Sequence, residues 1–228
     1  MNKRLELISE MIPPGVGFVD VGTDHGYLPA YMAQRGYRGN IIASDLRPAP
    51  LATARETARS AGVYDRISFR LCDGLDACGA AEVDTIIAAG MGGDTICGIL
   101  DRAEWCMDAR FLMLLQPMTK AEVLRYWLSN NEFEITDERL ILDAGELYQV
   151  ISARFGGHMR LADAELFTGQ YDLARKNELF DAHLSALIRR FERAVSGMDR
   201  ACTRIGRREL HAEILRQLYE MREGSFKR

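Results

Sequence analysis

The sequence predicts an α/β chain in which a doubly wound, mostly parallel sheet is followed by an α-helical coiled-coil hairpin. Two observations carry this reading. In the N-terminal half, successive apolar runs each finish in a carboxylate or a glycine cluster, as strands buried on both faces do where they meet a ligand-bearing loop. Beyond residue 157, apolar residues recur at three-and-four spacing, the mark of a helical seam.

Taken in order, Met1–Ile12 has apolar residues at 5, 8, 11 and 12, a short amphipathic helix halted by Pro13-Pro14 and expected to cover one edge of the fold. Gly17-Phe-Val-Asp20-Val-Gly22 is a first strand running into Thr23-Asp24-His25-Gly26-Tyr27. Gly39–Asp45, followed by Leu46, is a second, and Arg66–Asp73 with Gly74 a third. A fourth, from Val83, runs into Ala89-Gly90-Met91-Gly92-Gly93, whose glycines are expected to form a loop. Phe111–Met118 is a fifth. Two further runs around Ala144-Gly145, Phe133–Asp143 and Glu146–Phe155, read as a closing antiparallel hairpin.

The strand ends carry the chemistry. Asp20 lies at the end of its apolar run, and Gly22 lets backbone approach a ligand where a side chain would intrude. Dinucleotide folds use the related GxGxxG pattern, but Asp24 occupies the position of its second glycine. That puts a carboxylate where a pyrophosphate would lie and disfavours phosphate. Asp45 follows at about the distance at which such folds place a ribose-binding acid, and Asp73 can accept from an adenine amino group. Each aspartate alone reads equally well as a helix cap; the succession favours a site. The glycines at 90, 92 and 93 allow a flat base near the backbone. This is the pattern of a class I methyltransferase, a Rossmann-like sheet binding S-adenosyl-L-methionine.

The strings DVGTDHGYLP, AGMGG and LLQPM, in this order and with a helical tail, resemble those of the bacterial tRNA adenine-22 N1-methyltransferase family (the TrmK family), which read like DIGSDHAYLP, AGMGG and LQPN. The resemblance extends over most of the chain and implies methyl transfer from S-adenosyl-L-methionine to N1 of adenine 22 in tRNA. It implies cofactor contacts from Asp20, Gly22, Asp24, His25, Asp45, Leu46, Asp73, Gly74, Ala89, Gly90, Met91 and Gly92, and catalytic roles for Asp24, His25, Tyr27 and Met91. Lys3, Arg4, Gln116 and Pro117 are expected to face the RNA. The chain departs from the family at Met118, where asparagine is usual; methionine fills the space without an amide's donors and acceptor. The (D/N/S)PP(Y/F) motif of exocyclic-amine methyltransferases is absent, which favours a ring nitrogen as acceptor.

Charge is unevenly divided within the total of −4. Residues 1–153 hold 14 Lys and Arg against 22 Asp and Glu, whereas residues 154–228 hold 15 against 11. An acidic catalytic part would need a separate basic surface for RNA, and Arg189, Arg193, Arg204 and Arg207 of the tail are the candidates. The plain alternative is a solvated helix face whose arginines pair with Glu192, Asp199 and Glu209. The seam runs through Leu173, Phe180, Leu184, Leu187, Phe191, Val195, Met198, Cys202 and Ile205 and is continued by Leu210, Ile214, Leu218 and Met221, with the turn placed at Ser196-Gly197. The division is 1–157 for the cofactor domain and 158–228 for the tail.

Composition excludes other classes. No apolar run is long enough to span a bilayer, and Glu6 and Glu10 spoil any secretory signal, so the expected location is cytoplasmic. Five cysteines without a CxxC pair, and four histidines without ligand spacing, point to neither a disulfide framework nor a metal. The expected partner is tRNA, with the chain a monomer or weak dimer. The competing readings are methyl transfer to a small molecule or protein, and a noncatalytic RNA-binding module that retains the cofactor fold.

Overall fold

The structure, a computed structural model, describes residues 1–201 and 205–227. The helix α1 (Lys3–Met11) is capped by Asn2, whose Oδ1 accepts from the Leu5 N–H at 3.0 Å. There follow β1 (Phe18–Val21), α2 (Tyr27–Gln34), β2 (Ile41–Asp45), α3 (Pro48–Ser60) and β3 (Ser68–Leu71). The second half of the sheet comprises β4 (Thr85–Gly92), α4 (Gly93–Arg102), β5 (Leu112–Thr119), α5 (Ala121–Asn130), β6 (Phe133–Asp143) and β7 (Glu146–Phe155). The strand order is β3-β2-β1-β4-β5-β7-β6, parallel except for β7, which runs antiparallel to both neighbours.

Side chains alternate across the central strands and build two cores. Val19, Val21, Ile86 and Ala88 face α4 and α5, where Ile96, Leu100, Leu124 and Leu128 cover them. Phe18, Ile87, Leu112 and Leu114 face the other way, against Ile8, Leu28, Met32 and Ala58 of α1, α2 and α3. Helix α1 also lies along β6, the edge strand, as its amphipathic pattern implied. The β6–β7 turn has Ala144 and Gly145 both at positive φ (50° and 86°), as a two-residue hairpin needs to match strand twist.

The tail contains two single turns, α6 (Glu165–Thr168) and α7 (Tyr171–Ala174), then α8 (Phe180–Ala201) and α9 (Ile205–Glu223). Tyr171 touches both Phe180 at the start of α8 and Phe226 just beyond α9, while Phe191 further along α8 lies against His211 near the start of α9, so the two helices run antiparallel. Their seam buries Phe180, Leu184, Leu187, Ile188, Phe191, Ile214, Leu218 and Met221. Two tail expectations fail. Ser196-Gly197 is not the turn, because α8 continues through both residues to Ala201; a Cβ on Gly197 would meet nothing within 4 Å, so the glycine sits on an open face. Leu210 does not continue the seam and is exposed. Leu173 belongs to α7, ahead of the long helices. Cys202 and Arg204 lie outside the described residues.

A buried polar knot joins tail to sheet. Arg125 of α5, 1% exposed, donates from Nε to Glu138 Oε1 of β6 at 2.7 Å and from a terminal nitrogen to the Leu166 carbonyl at 2.8 Å. Its other terminal nitrogen reaches Gln149 Oε1 of β7, while Glu138 Oε2 accepts from the Gln170 N–H. Burial raises the Glu138 pKa, and the Arg125 charge opposes that rise. His183 of α8 contacts Gln149 at 3.4 Å and the Phe167 carbonyl at 3.2 Å; desolvation lowers its pKa to about 4.

Candidate active site

The carboxyl ends of β1, β2 and β4 flank the point where strand order reverses, and a cleft of about 550 Å³ opens there. It gathers Asp20, Gly22, Asp24, His25, Tyr27, Asp45, Leu46, Asp73, Gly74, Ala89, Gly90 and Met91. One segment shapes its floor. The Thr23 N–H donates to the Ser44 carbonyl at 2.9 Å and the Asp24 N–H to Asp45 Oδ2 at 3.2 Å, tying the loop after β1 to the end of β2. Gly26, at φ 67°, starts α2 against α3; a Cβ there would lie 2.8 Å from the Ala54 methyl. Gly22 also takes φ 67°, and a Cβ on it would stand 2.7 Å from the Met91 Cε.

The carboxylates differ in setting. Asp20 is buried and accepts from the Thr23 hydroxyl at 2.7 Å. Desolvation raises its pKa to about 6, opposed by that hydrogen bond and by the Arg4 charge and assisted by Asp45. Asp45 is buried as well, with Oδ1 accepting from the Arg47 N–H at 2.9 Å. Asp73 is exposed and pairs with Arg102 at 2.7 Å. Asp24, in the left-handed region at φ 52°, is exposed at the mouth with its Oδ2 3.4 Å from His25 Nε2. His25 and Tyr27 stack, with centroids 5.2 Å apart and planes 18° from parallel.

Several expected residues lie elsewhere. The glycine string is not a loop beyond β4: the strand continues to Gly92, with a register shift between Ala89 and Met91 that leaves Gly90 at φ 91°. Gly92 caps α4 and does not line the cleft. Gln116 is fully buried, and Pro117 lines a neighbouring cleft. Lys3 is exposed outside the cleft, whereas Arg4 enters it. The Arg4 guanidinium donates to Gln116 Oε1, lies 5.8 Å from the Tyr148 ring centroid and is half-buried, with its pKa lowered by that burial. Arg189, Arg193 and Arg207 stand on exposed faces of α8 and α9, and among the described residues none of the three makes an ion pair.

Sequence reasoning missed Asn2, Thr23, Ser44, Arg47, Cys72 and Thr95 as cleft residues. Thr23 and Ser44 sit inside the strand-end strings and were open to notice; Asn2 reaches the cleft only because α1 folds over it. Among the described residues no group of three or more His, Cys, Asp or Glu could hold a metal, and no helix is long and apolar enough to cross a membrane.

The comparisons agree with this architecture. A family model described as a methyltransferase domain matches residues 1–151. The chain is 31% identical over 185 residues to the tRNA (adenine(22)-N(1))-methyltransferase of Bacillus subtilis (strain 168), covering 79% of this chain and 78% of that one. A solved structure of a Streptococcus pneumoniae putative tRNA (m1A22) methyltransferase matches with TM-score 0.84 and 27% identity over 97% of this chain and 99% of that chain. A structure of that protein in complex with S-adenosyl-L-methionine matches with TM-score 0.78 and 26% identity over 96% and 98%. On the sequence match and the shared cleft-bearing domain together, this chain belongs to the tRNA (adenine(22)-N(1))-methyltransferase family.

Proposed function

We propose that this protein transfers the methyl group of S-adenosyl-L-methionine to N1 of adenine 22 in tRNA. The observation that carries the reading is the convergence of buried Asp20 and Asp45, the Gly22–Met91 gap and the Gly90 bulge on one cleft, in a chain 31% identical to a tRNA (adenine(22)-N(1))-methyltransferase. The residues fit the cofactor: the cleft is lined by carboxylates, suited to a cationic ligand with ribose hydroxyls, and at Gly22 a side chain would run into the Met91 Cε.

When bound, S-adenosyl-L-methionine supplies an electrophilic methyl on a sulfonium. Asp45 has its loop-facing lone pairs occupied by the Asp24 and Arg47 N–H groups, which fixes its remaining acceptors for hydroxyls. Asp20 would supply negative charge to a cationic ligand in the cleft, and the side-chain-free Gly90 would leave room for a flat base. The stacked His25–Tyr27 pair offers an aromatic wall for a purine. N1 carries an in-plane lone pair, so alignment is the main catalytic task. Methylation leaves the base cationic, and Asp24 at the mouth stabilises that charge. N1 lies on the Watson–Crick edge, so the adenine is taken unpaired.

Residues 1–157 act as the cofactor domain and 158–228 as the RNA-facing tail, whose Arg189, Arg193 and Arg207 have no carboxylate partner among the described residues and so offer charge to phosphates. The α8–α9 seam is filled within one chain, in keeping with a monomer, and the cytoplasm is where such a substrate is met. The test incubates purified protein with labelled S-adenosyl-L-methionine and unmodified tRNA, then maps the methyl by nuclease digestion and mass spectrometry. Label at N1 of adenine 22 is expected; label elsewhere, or none, removes the proposal.

A further inference from the structure

A second cleft of about 420 Å³ lies beside the first, between the end of β5, the start of β7 and α8. Met118, Lys120, Glu122, Glu146, Tyr148 and Arg190 line it. Arg4 stands between the two: it lines the first cleft, while its ring partner Tyr148 and Pro117, the neighbour of its acceptor Gln116, line the second. Whatever enters the second cleft therefore lies next to the reactive one. Resting on the tRNA-methylation reading, we infer that this cleft seats an unpaired ribonucleotide adjoining the target adenosine on the same strand.

The chemistry of the lining suits one base with one phosphate. Exposed Met118 gives an adaptable thioether surface, and Tyr148 an aromatic edge, for a base. Glu122 and Glu146 accept from base amino or imino groups. Arg190 is exposed, sits 5.7 Å from the Phe167 ring centroid and makes no ion pair among the described residues, so its charge is available to a phosphate; Lys120 already pairs with Asp94 at 2.6 Å. Two cations and two carboxylates balance, which argues against a duplex backbone and for a single nucleotide read on its edges. One wall of the cleft is fixed, since Gln149 in its lining is held by Arg125 and His183.

The test measures kcat/KM on intact tRNA and on tRNAs abasic at either position flanking the target, for wild type, Arg190→Ala and Met118→Ala, with cofactor affinity from calorimetry. Wild type should lose roughly tenfold on one of the two abasic substrates. Each variant should lose a similar factor on intact tRNA through KM, and less than about twofold more on that abasic substrate, with cofactor affinity and melting temperature unchanged. The inference is overturned if neither abasic tRNA is impaired, if both variants match wild type on intact tRNA, or if the abasic penalty is the same with and without the side chains. Wild type inactive on intact tRNA would overturn the parent reading as well.

Discussion

Met91 of β4 and Pro117 of β5 stand opposite one another in register, so two strings far apart in sequence are neighbours on adjacent parallel strands. The register shift at Gly90 turns the Met91 side chain toward Gly22 of the loop after β1. Three motif segments thus meet through one methionine, and a change at any of them is felt by the others.

Gly22→Ala should weaken cofactor binding by about tenfold, because the free loop escapes the roughly 1–2 kcal/mol that a left-handed backbone costs a residue with a Cβ and must regain that conformation to bind. The new methyl also displaces the Met91 Cε. Met91→Ala in the same chain should restore only the part due to crowding, leaving the backbone term. Calorimetry with S-adenosyl-L-methionine on the single and double variants separates the two.

Asp20 sets a pH dependence. Its folded pKa, raised to about 6 from 3.8, means that its contribution to stability is fully present below pH 3.8 and is lost as pH rises through about 6. Cofactor binding, which draws on the charged form, should run the opposite way and weaken as pH falls below about 6. A binding titration across pH 5 to 8 should show this inflection in wild type and not in Asp20→Asn; an identical profile in both would remove Asp20 from the site.

Breaking the buried pair from one side should be severe. Arg125→Ala leaves the buried Glu138 carboxylate without its cation, and about 3–5 kcal/mol of stability should go with it. The loss should be smaller in Arg125→Met with Glu138→Gln, where no buried charge is left unpaired. Urea unfolding checks both.

His183 is held neutral, its pKa lowered to about 4 from 6.5 by burial. Its contribution is present above pH 6.5 and is lost as pH falls through about 4. The melting temperature of wild type should therefore drop more steeply over that interval than that of His183→Gln.

Removing the unpaired tail charges should act on RNA alone. Arg189→Ala with Arg193→Ala should raise KM for tRNA and reduce the slope of log affinity against log salt by about one per lost phosphate contact, leaving cofactor affinity unchanged. An unaltered salt slope would place the RNA on another face.

Much of the cleft was legible because its carboxylates and glycines are local to strand ends: Asp20, Asp45, Gly22 and Gly90 lie where apolar runs stop. What escaped was long-range. Arg4 reads as an exposed helix start, and only the packing of α1 along β6 brings it to Gln116 and Tyr148. Nothing near Arg125 or His183 in sequence announces Glu138 or Gln149 as a partner. Ser196-Gly197 does not turn the chain because a helix tolerates glycine on an open face at a cost of about 1 kcal/mol.

The five-donor fork of Arg125 spans α5, β6, β7 and the start of the tail. A hinge at that place would let α8 and α9 swing toward any RNA that approached. With the fork in place the two parts are clamped, so any ligand large enough to touch both meets a spacing fixed in advance.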